Sequence, residues 1–159
     1  MSDGPNHRIC HLVLDEKNVV RRHPDIEHER AVAIYDLLEE NTFEPIGSAC
    51  GPYHLHLGIA ETRLVFDIRM EDDSPLGKII LALSPFRKII KDYFEICDSY
   101  YQAIKTATPA KIEAIDMARR GVHNEGSTLL QERLAGKIAI DHPTARRIFT
   151  LICVLHLKG

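Results

Sequence analysis

Apolar and polar residues alternate most clearly between Tyr53 and Met70. Tyr53–Ala60 reads Tyr-His-Leu-His-Leu-Gly-Ile-Ala and Arg63–Met70 reads Arg-Leu-Val-Phe-Asp-Ile-Arg-Met, the period of two that marks half-buried strands. A turn at Glu61-Thr62 pairs Ile59 with Leu64, Leu57 with Phe66 and Leu55 with Ile68. All six then share one face, and a one-residue slip would send half of them to the other, so the pattern alone predicts the register. The opposite face sets His56 across from Asp67 and His54 across from Arg69. Glu-Thr is poor chemistry for a type I′ turn, which leaves a longer loop open.

The other elements follow from stop and start signals. Arg8–Leu14 is apolar and bounded by Asp15-Glu16, which predicts a strand, and Asn18–Pro24 allows another short extended piece. Asp25 caps a helix with Glu27 and Glu29 in its positive first turn; Ala31, Ile34, Tyr35 and Leu38 share a face and Asn41 is the stop. Phe43–Pro52 reads as a loop, Glu71–Gly77 as an acidic loop and Lys78–Leu83 as a third strand. Ser84-Pro85 starts a helix whose seam is Phe86, Ile90, Tyr93, Cys97, Tyr100 and Ile104. Thr108-Pro109 starts another, predicted to end with Gly121 as a left-handed C′ residue and Val122 folding back on Met117. Ser127 or Thr128 then opens a further helix, with Thr128 and Gln131 at capping-box spacing and Gly136 closing it. Ile138–Ile140 suggests a short edge strand. Asp141 caps a last helix, to about Leu155, that is apolar on most sides and so belongs in the core or in a dimer interface.

The predicted class is α+β. A loose tail, residues 1–6, precedes a single domain over residues 7–159, an antiparallel β-meander with a helix-rich C-terminal half packed on one face.

Composition sharpens this without changing it. With 159 residues, 45% hydrophobic and 27% charged, the chain can fold as one domain around a substantial core. The net charge is −3, and basic residues are scattered apart from the pairs Arg21-Arg22, Arg119-Arg120 and Arg146-Arg147, which argues against nucleic-acid partners. The cysteines Cys10, Cys50, Cys97 and Cys153 stand far apart and read as reduced thiols. The start lacks an apolar leader, and the run Ile148–Leu157, broken by Thr150, is too short to span a bilayer. The expectation is a cytoplasmic protein with no membrane partner.

Three places carry candidate chemistry. In the predicted loop Val122–Gly126, His123 and Glu125 suit an acid–base pair or metal ligands. Arg119, Arg120, Asn124 and the free helix start at Ser127 would hold a small anion. Arg119 and Arg120 point about 100° apart on a helix, so at most one faces the loop. Helix capping by itself accounts for Gly121, Gly126 and Ser127; it does not explain why His, Asn and Glu stand together. The second place is the strand pair His54 and His56, a metal half-site with Asp67 as third ligand, or with Asp67 orienting the His56 imidazole. Arg69 opposite His54 disfavours a cation there, and a solvated face with one cross-strand His–Asp pair is the simpler reading. The third is Cys50 in the small-residue loop Gly47–Pro52, four positions before His54, where a thiolate could be activated; a tight connection is the ordinary alternative.

The runs Arg-Arg-Gly-Val-His-Asn-Glu-Gly-Ser (119–127) and Asp-His-Pro-Thr-Ala-Arg-Arg-Ile-Phe-Thr-Leu-Ile-Cys-Val-Leu-His (141–156) resemble a family of small uncharacterised alphaproteobacterial proteins. The resemblance covers nearly the whole chain and implies a bacterial cytosolic, single-domain protein. It transfers no activity, cofactor or catalytic residue. Two functions are therefore expected from the residues. One is a small-anion-binding or regulatory module, working as a homodimer, built on Arg119 or Arg120. The other is a hydrolase or isomerase using His123 and Glu125, alone or with His56 and Asp67, with or without a divalent metal.

Overall fold

The computed structural model describes residues 6–16 and 24–156. Residues 1–5 of the expected tail and 18–23 of the expected extended piece lie outside the described residues. The elements are β1 (Ile9–Leu14), α1 (Pro24–Glu39), β2 (Phe43–Pro45), β3 (Tyr53–Ala60), β4 (Arg63–Met70) and β5 (Pro75–Ala82), then a single 3₁₀ turn, Ser84–Phe86. After it come α2 (Arg87–Thr106), α3 (Pro109–Leu134), β6 (Ile138–Ile140) and α4 (His142–His156). The class is α+β, as the order of signals predicted.

The main sheet runs β1-β3-β4-β5. The hairpin has the predicted register, with Leu55 on Ile68, Leu57 on Phe66 and Ile59 on Leu64. Its loop is two residues long; Glu61 meets the poor turn chemistry by adopting φ 58°. The meander is antiparallel only over β3, β4 and β5. β1 pairs with β3 in parallel, Ile9 opposite Tyr53 and Leu14 opposite Leu57, which corrects the fully antiparallel expectation. The cause is α1: a helix between two neighbouring strands returns the chain to the end it left from. Asn41 anchors this return, because its Oδ1 accepts from Ile9 N (2.7 Å) and its Nδ2 donates to the carbonyls of Ile9 (3.0 Å) and Leu37 (2.8 Å). Phe43–Pro45, expected within a loop, is a three-residue strand pairing antiparallel with β6.

One face of the sheet (Tyr53, Leu55, Leu57, Leu64, Phe66, Ile68) is buried against the helices. α4 is the central helix: every residue from Ile148 to Leu155 is buried. Asp141 caps it as predicted, its Oδ1 accepting from Thr144 N at 3.0 Å. Thr108 caps α3 by accepting from Lys111 N.

The largest correction concerns α3, which does not stop at Gly121. It continues through the expected loop Val122–Gly126 and the expected start at Ser127 as one helix of 26 residues. Gly121 is exposed, with open space where a side chain would be. Gly126 is buried, and a Cβ there would lie 2.5 Å from three carbons of the Phe149 ring. The second glycine therefore lets α3 and α4 approach closely, and packing of the long helix overrides the local stop signal. Gln131 caps nothing; its Nε2 donates to the Ile140 carbonyl at 3.0 Å. Among the described residues, no helix is long and apolar enough to cross a membrane.

Candidate functional site

Because α3 is continuous, its residues sort by helical face instead of gathering in a loop. Arg119 and His123, four apart, face the same way, towards a cleft between α1, α3 and α4. α1 contributes His28, Glu29 and Asp36; α4 contributes Pro143, Arg146 and Arg147. The cleft has a volume of about 340 Å³.

Its polar groups divide into those already neutralised and those left over. Glu29 accepts from Tyr101 Oη (2.6 Å), from Tyr93 Oη (3.4 Å) and from Arg119 Nη1 (3.3 Å). Arg119 also reaches Asp116 (3.0 Å) and stacks over the Tyr100 ring at 4.3 Å, so its charge is matched twice and its guanidinium pKa is raised despite the cost of burial. Arg120 points away: its side chain is 68% exposed and pairs with Asp116 at 3.1 Å. Arg147 donates to the Glu40 carbonyl at 3.2 Å.

Arg146 is the exception. Among the described residues it forms no ion pair, and its guanidinium pKa is lowered, first by partial burial and then by the neighbouring charges of Arg119, Arg120 and Arg147. Asp116 opposes this without cancelling it. Arg146 is thus a cation without an ion pair among the described residues, beside three other arginines.

His123 lies beneath the cleft, 6% exposed, its ring edge-on to Tyr93 (5.3 Å between centroids) and its Nδ1 3.3 Å from Thr150 Oγ1. Burial, and then the charges of Arg146 and Arg119, push its pKa down to about 4, so the ring is neutral near pH 7.

The other expected residues go elsewhere. Glu125 and Asn124 line a separate groove between α2 and α3, with Lys88 and Asp92. Two residues along a helix is about 200° of rotation, so His123 and Glu125 cannot act on one group. Ser127 is buried and offers no free helix terminus: its hydroxyl donates to the His142 carbonyl (2.8 Å) and lies 3.0 Å from His142 Nδ1. Nor does the structure join His123 to His56. His56 projects from the face of the sheet turned away from the core, whereas His123 sits among the helices that cover the other face.

On that outer face the expected trio His54, His56 and Asp67 is also not assembled. Asp67 is taken by Arg69 Nη2 at 3.0 Å. Both imidazoles face Asp73 instead, at 3.6 Å for His54 Nδ1 and 3.7 Å for His56 Nε2, and Arg69 Nη1 holds the other Asp73 oxygen at 3.0 Å. Among the described residues, no group of three or more His, Cys, Asp or Glu side chains is placed to hold a metal ion. Cys50 is exposed in its loop, and Cys97 and Cys153 are buried, with burial pushing the Cys97 thiol up to about 12.

Arg146, Arg147, His28 and Asp36 were not singled out as site residues from the sequence. The signal was the i, i+4 spacing of Arg146 with Thr150 on the last helix and of Arg119 with His123, the latter informative only once α3 is continuous.

No solved structure matches this chain. Among curated proteins it is similar to a UPF0262 protein of Rhodopseudomonas palustris strain HaA2, 65% identical over 157 residues, 99% of this chain and 96% of the relative. A UPF0262 protein of Nitrobacter winogradskyi is 62% identical over 157 residues, covering 99% of this chain and 94% of its own length. One of Bradyrhizobium sp. strain ORS 278 is 63% identical over 158 residues, with the same coverage of both chains. With relatives this close from end to end, and a family model matching residues 6–158, the chain belongs to the family described as Uncharacterised protein family (UPF0262).

Proposed function

We propose that this protein is a cytoplasmic small-anion-binding module whose site is the cleft between α1, α3 and α4. The observation that carries the reading is Arg146. It is a guanidinium with no ion pair among the described residues, exposed at the rim of a concavity it shares with Arg119 and Arg147. Folding brings that charge near those of Arg119, Arg120 and Arg147, with Asp116 offsetting part of the repulsion, and a bound anion would relieve the rest. Arg119, held rigid by Glu29, Asp116 and Tyr100, serves as a fixed wall; Arg146 is the group that the anion meets. The separation of His123 from Glu125 on opposite sides of α3 favours binding, and regulation through binding, over hydrolysis or isomerisation by that pair.

A thermal-shift titration tests the reading. Inorganic phosphate at 100 times Kd should stabilise the wild type by about 2.7 kcal/mol, and R146M should lose that response. No rise in Tm for the wild type with phosphate, pyrophosphate or citrate, at any concentration short of general salt effects, would sink it.

A further inference from the structure

The depth of the cleft says more about the ligand than its rim does. Thr150 Oγ1 lies 3.1 Å from the Arg146 carbonyl one turn earlier, so the threonine proton is committed to that oxygen. What Thr150 can offer His123 is a lone pair. The contact between Thr150 Oγ1 and His123 Nδ1 then requires the proton on Nδ1, which leaves Nε2 as a bare acceptor. Among the described residues nothing donates to Nε2, in a side chain 6% exposed that lines the cleft. A buried acceptor without a donor is costly, and such groups in native proteins are normally satisfied by water or a ligand. Burial and the nearby arginines keep the ring neutral, which makes it a poor base for removing a proton and a good acceptor for sharing one.

Resting on the anion-binding reading, we infer that the cleft takes the phosphate monoester of a hydroxyl-bearing compound, its phosphate on Arg146 and one hydroxyl donating to His123 Nε2. A phosphate dianion gains more than a single carboxylate would from the Arg146 guanidinium with Arg119 and Arg147 nearby. The volume of about 340 Å³ exceeds what one phosphate fills and leaves room for a short carbon frame. Asp36, which also lines the cleft, supplies a second acceptor for hydroxyls.

Calorimetric titration of the full chain with methyl phosphate and with ribose 5-phosphate separates the two ideas. Ribose 5-phosphate should bind about tenfold more tightly than methyl phosphate, the worth of one added hydrogen bond, and H123L should bring the two to equal affinity. Equal affinities in the wild type, or a preference that survives H123L, overturn the role of His123 and leave the anion site standing. Binding of neither probe ends both. Because H123L alters a buried position, nitrogen-15 imidazole spectra of the wild type provide a second measurement. Free His123 should show a proton on Nδ1 and a bare Nε2, and the Nε2 signal should move with ribose 5-phosphate and stay with methyl phosphate. A protonated Nε2 in the free protein, or a signal indifferent to the sugar phosphate, also overturns it.

Discussion

Gly126 of α3 lies flat against the ring of Phe149 in α4, with no room for even one methyl group between them. The exposed glycine one turn and a half earlier, Gly121, has open space at the same atom. Two glycines five residues apart on one helix therefore predict opposite outcomes. G121A should stabilise the protein by about 0.5–1 kcal/mol, since alanine is the better helix former and touches nothing. G126A should destabilise it by roughly 1–3 kcal/mol, because displacing Phe149 outweighs that gain. Urea unfolding of both variants checks this, and a destabilising G121A would mean that α3 breaks there after all.

The two cleft arginines should also part company. R119M strips Glu29 and Asp116 of a partner and removes the stack on Tyr100, so it should cost roughly 1–2 kcal/mol in a half-buried setting. R146M removes a repelled charge, and the free protein should be as stable as the wild type or slightly more so. Melting curves without added anion decide it; a large loss of stability in R146M would show that Arg146 has a structural partner.

His123 makes stability depend on pH with a definite sign. Its pKa in the folded chain, about 4, is below the unfolded value of 6.5, so the unfolded chain takes up the proton first. The contribution is complete above the unfolded pKa and declines as pH falls towards the folded one. Between about pH 7 and pH 5 the loss should be about 2 kcal/mol, and H123Q should flatten that part of the profile. The groups setting the shift are Arg146 from α4 and Arg119 and Asp116 from α3, with Tyr93 of α2 and Glu29 of α1 beside the cleft. A wild-type profile no steeper than that of H123Q would contradict the depressed pKa.

Asn41 ties the end of α1 to β1 through three hydrogen bonds. N41A loses all three, and its unfolding free energy should fall by roughly 2–3 kcal/mol. N41D keeps the acceptor but sets a carboxylate oxygen against the two carbonyls that Nδ2 now donates to, so urea unfolding should show it no more stable than N41A.

What could be read from the residues divides along physical lines. The hairpin register was legible because a period of two, repeated in both strands, has one solution that buries Leu55, Leu57, Leu64, Phe66 and Ile68 together. The starts of α3 and α4 were legible because Thr108 and Asp141 act on their own first turns. The course of α3 was not. Gly121 carries the local mark of a helix end, and the reason it is overridden, the meeting of Gly126 with Phe149, lies between residues far apart in the chain. The misread break carried the site with it: placed in a loop, His123 stood with Glu125, whereas on a helix it stands with Arg119. The parallel pairing of β1 was hidden for a similar reason, since nothing in Ile9–Leu14 says which strand it will join.

That pairing also sets an order of events during synthesis. β3, β4 and β5 need only short connections to find one another, but β1 leaves the ribosome well before β3, with α1 and β2 still to come. Until β3 arrives, the first strand has no neighbour and shows an unpaired backbone edge. The nascent chain is thus most exposed to wrong pairing in that interval, which ends only when β3 arrives to cover the edge of β1.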